Sequence, residues 1–200
     1  MAKEKELVFR RNTFSGEQIA PGVYLSSGRI VKARNIAGMK TFEQQKEPYE
    51  MGVQLSIQVE GHDKPFTMTI DGKFKRGEDG KTIVDQGSAF RVFSVFFNLG
   101  YEGEFKASAK LPQDAIDFLI GKEIYRLSYT KGLRSDNSGK QSYGDFNVVH
   151  PATPEGRAKI IADWERQRSK GYPKNYIPPG GTPGASPADA ESEVSGREEW

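Results

Sequence analysis

"PYEMGVQLSIQVE", residues 48–60, carries the cleanest alternation in the chain. Met51, Val53, Leu55, Ile57 and Val59 fall on one face, and Gln54, Ser56, Gln58 and Glu60 on the other. A period of two with one apolar and one polar face marks a half-buried antiparallel strand. Downstream, "GHDKP" (61–65) is turn chemistry. "FTMTIDGKFKRGEDGK" (66–81) then resumes the alternation, with Phe66, Met68, Ile70 and Phe74 on one face and Thr67, Thr69, Lys73 and Lys75 on the other. Upstream, "GVYLSSGRIVKARNI" (22–36) puts Val23 and Leu25 together; after Gly28, Val31 and Ala33 lie opposite Lys32 and Arg34. A glycine inside a strand marks a bulge or a sharp bend.

The period then changes. In "SAFRVFSVFFNL" (88–99) the aromatic content favours a strand. The spacing favours a helix, with Arg91, Ser94 and Asn98 on one stripe, Ala89, Val92, Phe93, Phe96 and Phe97 on the rest, and the three phenylalanines assigned to the core. Helix is the expectation, capped by Ser88 and ended by Gly100. "LPQDAIDFLIG" (111–121) is a second short helix stopped at Gly121. "KEIYRLSYTKG" (122–132) and "QSYGDFNVVH" (141–150) read as two more strands. "TPEGRAKIIADWERQRSKG" (153–171) reads as a helix with Thr153 as cap, Pro154 in its first position and Gly171 at its end.

About five strands, with helical material between the third and fourth, is the pattern of an OB-fold, a small five-stranded Greek-key barrel. A generic α+β sandwich is the alternative. The expected organisation is an irregular arm over 1–20, the barrel over 21–150, a C-terminal helix over 151–171, and a disordered Pro/Gly-rich linker and acidic tail over 172–200, where apolar content is too low to fold.

The chain has 200 residues, 36% hydrophobic and 28% charged, with no cysteine. Disulfides, thiolate metal sites and cysteine nucleophiles are excluded. No apolar run is long enough to span a bilayer, and "MAKEKELVF" (1–9) lacks the apolar core of a signal peptide. A cytoplasmic location without membrane contact is the expectation. The net charge is +2. Residues 185–200 hold five acids and one base, a net of −4, which leaves +6 on residues 1–184. A basic body joined to an acidic tail points to a polyanionic partner, although a solvated surface with an incidental tail has the same charges.

No compact catalytic constellation is visible. His62 and His150 sit far apart at turn edges and read as surface histidines. No nucleophile elbow, phosphate loop or GxGxxG stretch occurs. Glu78, Asp79 and Asp85 read as a solvated hairpin rather than a metal site. Neither an enzyme nor a cofactor is expected. Basic residues do interleave with aromatics: Arg29, Lys32 and Arg34 on one strand; Lys73, Lys75 and Arg76 around Phe74; and Arg126 and Lys131 beside Tyr125 and Tyr129. Single-stranded nucleic acid asks for that combination, cations for phosphates and flat rings for unpaired bases. Phe74, Tyr125 and Tyr129 have a competing reading as core residues, because each shares a face with apolar neighbours.

The strand order, the basic body, the Pro/Gly linker and the acidic end "ESEVSGREEW" (191–200) together resemble phage-type single-stranded DNA-binding proteins. The stretches "GRIVKARN", "DGKFKR" and "GSAFRVFSVFFNLGY" look similar to members of that class, whose usual terminal residue is phenylalanine where this chain has Trp200. The resemblance implies non-sequence-specific coating of single-stranded DNA in replication, recombination or repair. It also implies a tail whose Glu198, Glu199 and Trp200 engage replication or recombination proteins. The competing functions are a viral structural or assembly protein using the barrel for protein contacts, and a nucleic-acid-processing enzyme with dispersed carboxylates.

Overall fold

Gly28 sits where one long strand changes partners. In the computed structural model, which describes residues 16–40, 45–106, 110–133 and 141–179, strand β2 runs over Val23–Asn35 and follows a short β1, Glu17–Ala20. Residues 23–29 of β2 pair antiparallel with β7 (Glu123–Leu133), and residues 29–35 pair with β3 (Met51–Gln58). A Cβ on Gly28 would lie 2.7 Å from Ile57 Cγ2 and 2.8 Å from the Gln58 carbonyl oxygen. Only a bare backbone lets the strand swing from one neighbour to the other at this point.

Strand β4 (Phe66–Gly72) adds to β3, and β8 (Gln141–Pro151) adds to β7. The order is therefore β4-β3-β2-β7-β8, with β1 beside β2. All pairs are antiparallel, so the end strands β4 and β8 run the same way, and they come together to nearly close a five-stranded barrel. Two short strands, β5 (Lys75–Arg76) and β6 (Ile83–Asp85), form a separate ribbon. Helices α1 (Phe90–Asn98) and α2 (Gln113–Leu119) lie between β4 and β7 in the chain. Mainly antiparallel, with helices between the third and fourth barrel strands, the fold is OB-like.

The alternation read from residues 51–59 holds at every position: all five apolar residues are buried in the barrel core. Each such aliphatic side chain contributes about 1.5–3 kcal/mol on burial. Helix α1 closes the core with Val92, Phe93, Val95 and Phe96. Three local expectations are corrected. A register shift between Ile30 and Lys32 turns Ile30 inward and leaves Val31 exposed. Phe97, expected in the core, is 54% exposed, because the helix presents residues 92, 93 and 96 to the barrel. Ser88 does not cap α1; a 3-10 turn, Gly87–Ala89, leads into the helix, and the Ser88 hydroxyl accepts from the Lys73 N–H.

Helix α3 (Pro154–Ser169) begins as its sequence requires: the Thr153 hydroxyl accepts from the Gly156 N–H at 3.1 Å, and Pro154 occupies the first position. It packs on the outside of the barrel. Ile160 and Trp164 meet Val23, Leu25, Leu127, Tyr129 and Phe146 in a second core. Two expected boundaries move. Residues 17–20 of the expected arm are the strand β1. Residues 172–179 of the expected linker fold back onto β7, with the Ile177 N–H on the Thr130 carbonyl at 3.0 Å and Tyr176 edge-on to Trp164 at 5.4 Å. The rest of the arm, residues 1–15, and the tail with Glu198, Glu199 and Trp200 lie outside the described residues. No helix among the described residues is long and apolar enough to cross a membrane.

Candidate nucleic-acid interface

Facing residues of paired antiparallel strands share a side of the sheet. Lys32 lies opposite Ser56, which lies opposite Thr67; Arg34 lies opposite Gln54, which lies opposite Thr69. These rows face away from the core. Arg34 Nε donates to Gln54 Oε1 at 2.8 Å, and Gln54 Nε2 donates to Thr69 Oγ1 at 3.3 Å. That chain of hydrogen bonds fixes the guanidinium against the sheet. Lys32 is exposed and has no polar partner among the described residues. The result is a face of amides, hydroxyls and two available cations, the donor set that binds a phosphate–sugar backbone without reading bases.

The other predicted cations sit around this face in different states. Arg29 is held by Glu123 at 2.7 Å. Beyond the end of β4, Lys73 pairs with Glu47 at 3.4 Å, and Arg76 pairs with Glu50 at 2.5 Å while donating to the Lys81 carbonyl. Lys75 is exposed on the β5–β6 ribbon, opposite Asp85. Carboxylates thus already engage three of the six cations.

The predicted rings are elsewhere. Phe74 is buried and packs toward Phe93 at 6.3 Å, so it is core. Tyr129 is buried beneath α3 against Trp164, and its hydroxyl donates to Asn175 at 3.0 Å. Burial raises the Tyr129 hydroxyl above its ordinary pKa, and the Asn175 bond opposes that rise in part. Tyr125 is half-buried beside the same second core. Arg126 points into the barrel, 4% exposed, paired with Asp145 and stacked 4.5 Å over the Phe66 ring. Its Nε has no hydrogen-bond partner among the described residues. A phosphate outside the barrel cannot reach that guanidinium. Lys131 stands at the far end of β7, beside Ile177. So β7 contributes nothing to the β2–β3–β4 face. That face carries no aromatic side chain among Lys32, Arg34, Gln54, Ser56, Gln58, Thr67, Thr69 and Asp71.

Sequence reasoning missed the role of Gln54 and Thr69, although the alternation placed both on the outer face. It also misplaced His150. The ring is buried under α3, with Nε2 2.9 Å from Asp163 Oδ2. Asp79 behaves as its hairpin suggested. Its carboxylate accepts from the Thr82 hydroxyl and from the Lys81 and Thr82 N–H groups, which together hold it below the usual carboxylate range. No group of three or more potential metal ligands occurs among the described residues. Compared with known proteins, the chain matches no family model and no curated relative.

Proposed function

We propose that this protein binds single-stranded DNA without sequence preference, through the outer face of β2–β3–β4. The observation that carries the reading is the placement of Lys32 and Arg34, in adjacent rows with Gln54 and Thr69, on the exposed strands of an OB-like barrel. Affinity on such a surface comes from phosphate contacts and counterion release, so it falls as salt rises. The role that fits is non-catalytic: covering exposed strands during replication, recombination or repair, as the resemblance to phage-type proteins implies. In this reading the acidic end of the chain, with Glu198, Glu199 and Trp200, recruits other replication or recombination proteins.

Titration with oligo(dT), oligo(rU) and duplex DNA at two salt concentrations tests it. Salt-sensitive binding that favours oligo(dT) over duplex supports the proposal. Equal affinity for duplex and single strand, or no binding at low salt, rejects it. Absence of any oligonucleotide binding is also what a structural or assembly role for the barrel predicts.

A further inference from the structure

A cleft of about 630 Å³ opens between α1, β8 and α3, on a different part of the barrel from the β2–β3–β4 face. Two walls carry cations, Arg91 from α1 and Lys159 from α3, and both are exposed without a polar partner among the described residues. The acids on the lining are already engaged. Asp145 is held by Arg126, and Asp163 by His150 and by Arg166 at 2.5 Å. Local charge compensation is thus complete for the carboxylates and absent for Arg91 and Lys159. The cleft presents uncommitted positive charge.

Its rim carries the exposed rings that the β2–β3–β4 face lacks. Phe90, at the start of α1, is 51% exposed, and Tyr172, just past the end of α3, is 49% exposed. The remaining lining, with Ser94, Asn98, Asn147 and Gln167, supplies hydroxyl and amide groups. Rings that stack, cations that meet phosphate and amides that hydrogen-bond a base edge are the recognition chemistry of a nucleotide unit.

We propose that the α1–β8–α3 cleft is a second binding site for single-stranded nucleic acid. Phe90 and Tyr172 stack on unpaired bases, and Arg91 and Lys159 hold the flanking phosphates. The inference rests on the proposed single-strand binding and divides its labour. The β2–β3–β4 face grips the backbone, and the cleft supplies the stacking.

The full-length protein is photo-crosslinked to an oligo(dT) carrying 5-iodouracil, and the attached peptides are identified by mass spectrometry. In parallel, affinity is measured over a range of salt for wild type, Arg91→Ala/Lys159→Ala and Lys32→Ala/Arg34→Ala. The expected result is attachment at Phe90 or Tyr172, together with a salt slope about 1.4 shallower in the Arg91/Lys159 variant, two phosphate contacts at about 0.7 each. All four changed side chains are exposed, so unaltered circular dichroism is expected in both variants. Tyr172→Leu, tested separately, should weaken binding several-fold with the slope unchanged. No attachment in the cleft and an unchanged slope in Arg91→Ala/Lys159→Ala, while Lys32→Ala/Arg34→Ala weakens binding, overturns the cleft and leaves the barrel face standing. Attachment of 5-iodo-dUMP, but not of the oligonucleotide, makes the cleft a mononucleotide site and overturns the strand proposal. Failure of wild type to bind any oligonucleotide at low salt overturns both.

Discussion

Tyr129 lies against Trp164 with ring centroids 5.6 Å apart, and that contact joins β7 to α3. Tyr129, which looked like a base platform in sequence, is packed into the core beneath α3. Tyr129→Ala should therefore cost about 3–5 kcal/mol, as removal of a buried aromatic does. Tyr129→Phe, which loses only the Asn175 bond, should cost about 0.5–1.5 kcal/mol. Denaturant midpoints decide the matter. A Tyr129→Ala protein with unchanged stability and lost oligonucleotide affinity would return the ring to the interface.

Gly28→Ala is expected to destabilise by about 1–3 kcal/mol through overpacking. The added methyl would meet a backbone carbonyl, that of Gln58, as well as Ile57 Cγ2, and the carbonyl cannot rotate away. Thermal unfolding measures it. A neutral result would mean that β2 turns between its two neighbours by some means other than close approach at Gly28.

The barrel was legible because period-two alternation over residues 51–59 and 66–70 survives intact in strands buried on one face only. On β7 it fails as a guide. Residues 124–130 are nearly all buried, since the barrel interior lies on one side and α3 on the other. Tyr125, Arg126 and Tyr129 therefore carried no local mark of which side faces water. The exposure of Phe97 and the burial of His150 were hidden for a related reason. Each depends on where a helix docks, and helix docking is a long-range relation. The basic stretches were legible as charge, but not their pairing, because Glu47, Glu50 and Glu123 come from other segments.

Arg157 of α3 grips Glu17 of β1 with two hydrogen bonds, at 2.5 and 3.3 Å. The Arg157 guanidinium holds the Glu17 carboxyl below its ordinary value of 4.5. A carboxyl with a lowered folded-state pKa adds stability that is complete above the unfolded value and is lost as pH falls through the folded value. Glu17→Gln should thus be less stable than wild type at neutral pH, and the gap should close as the pH falls below 4.5 and through the lowered folded-state value. The pair is exposed, so the gap is small. Paired melting curves from pH 7 to pH 3 test it; a gap that stays constant with pH would show that the carboxylate's charge is not what matters.

Deletion of residues 185–200 removes a net charge of −4 from a chain whose remainder carries +6. If DNA binding is electrostatic, a tethered polyanion competes with it at an effective concentration near millimolar. Truncation should tighten oligo(dT) binding, most at low salt, where screening is weakest. Trp200→Ala keeps the acids, so it should leave oligo(dT) affinity unchanged and weaken capture of a partner protein that seats the ring. Identical affinity of truncated and full-length protein at every salt concentration rejects the competition.

Lys32 and Arg34 should dominate the salt dependence contributed by the β2–β3–β4 face, and the reason is their lack of carboxylate partners. A cation that neutralises one phosphate of a single strand contributes about 0.7 to the slope of log K against log salt. Lys32→Ala should flatten the slope by that amount. Arg34→Ala should do the same and also free Gln54, whereas Arg34→Lys should keep the slope and lose only the hydrogen bond that orients the side chain. Arg76 and Lys73 must first leave Glu50 and Glu47 before they can meet a phosphate, so their alanine variants should change the slope by less. Arg126→Ala provides the contrast. It leaves Asp145 without its partner and removes the guanidinium from the Phe66 ring, so it should lower stability before it alters any slope. Fluorescence anisotropy with labelled oligo(dT) from low to moderate salt gives the slopes of wild type and all six variants. Equal flattening by Lys32→Ala and Arg76→Ala would show that the carboxylates release their cations freely, and that the strand tracks the β4–β5 corner as closely as the barrel face.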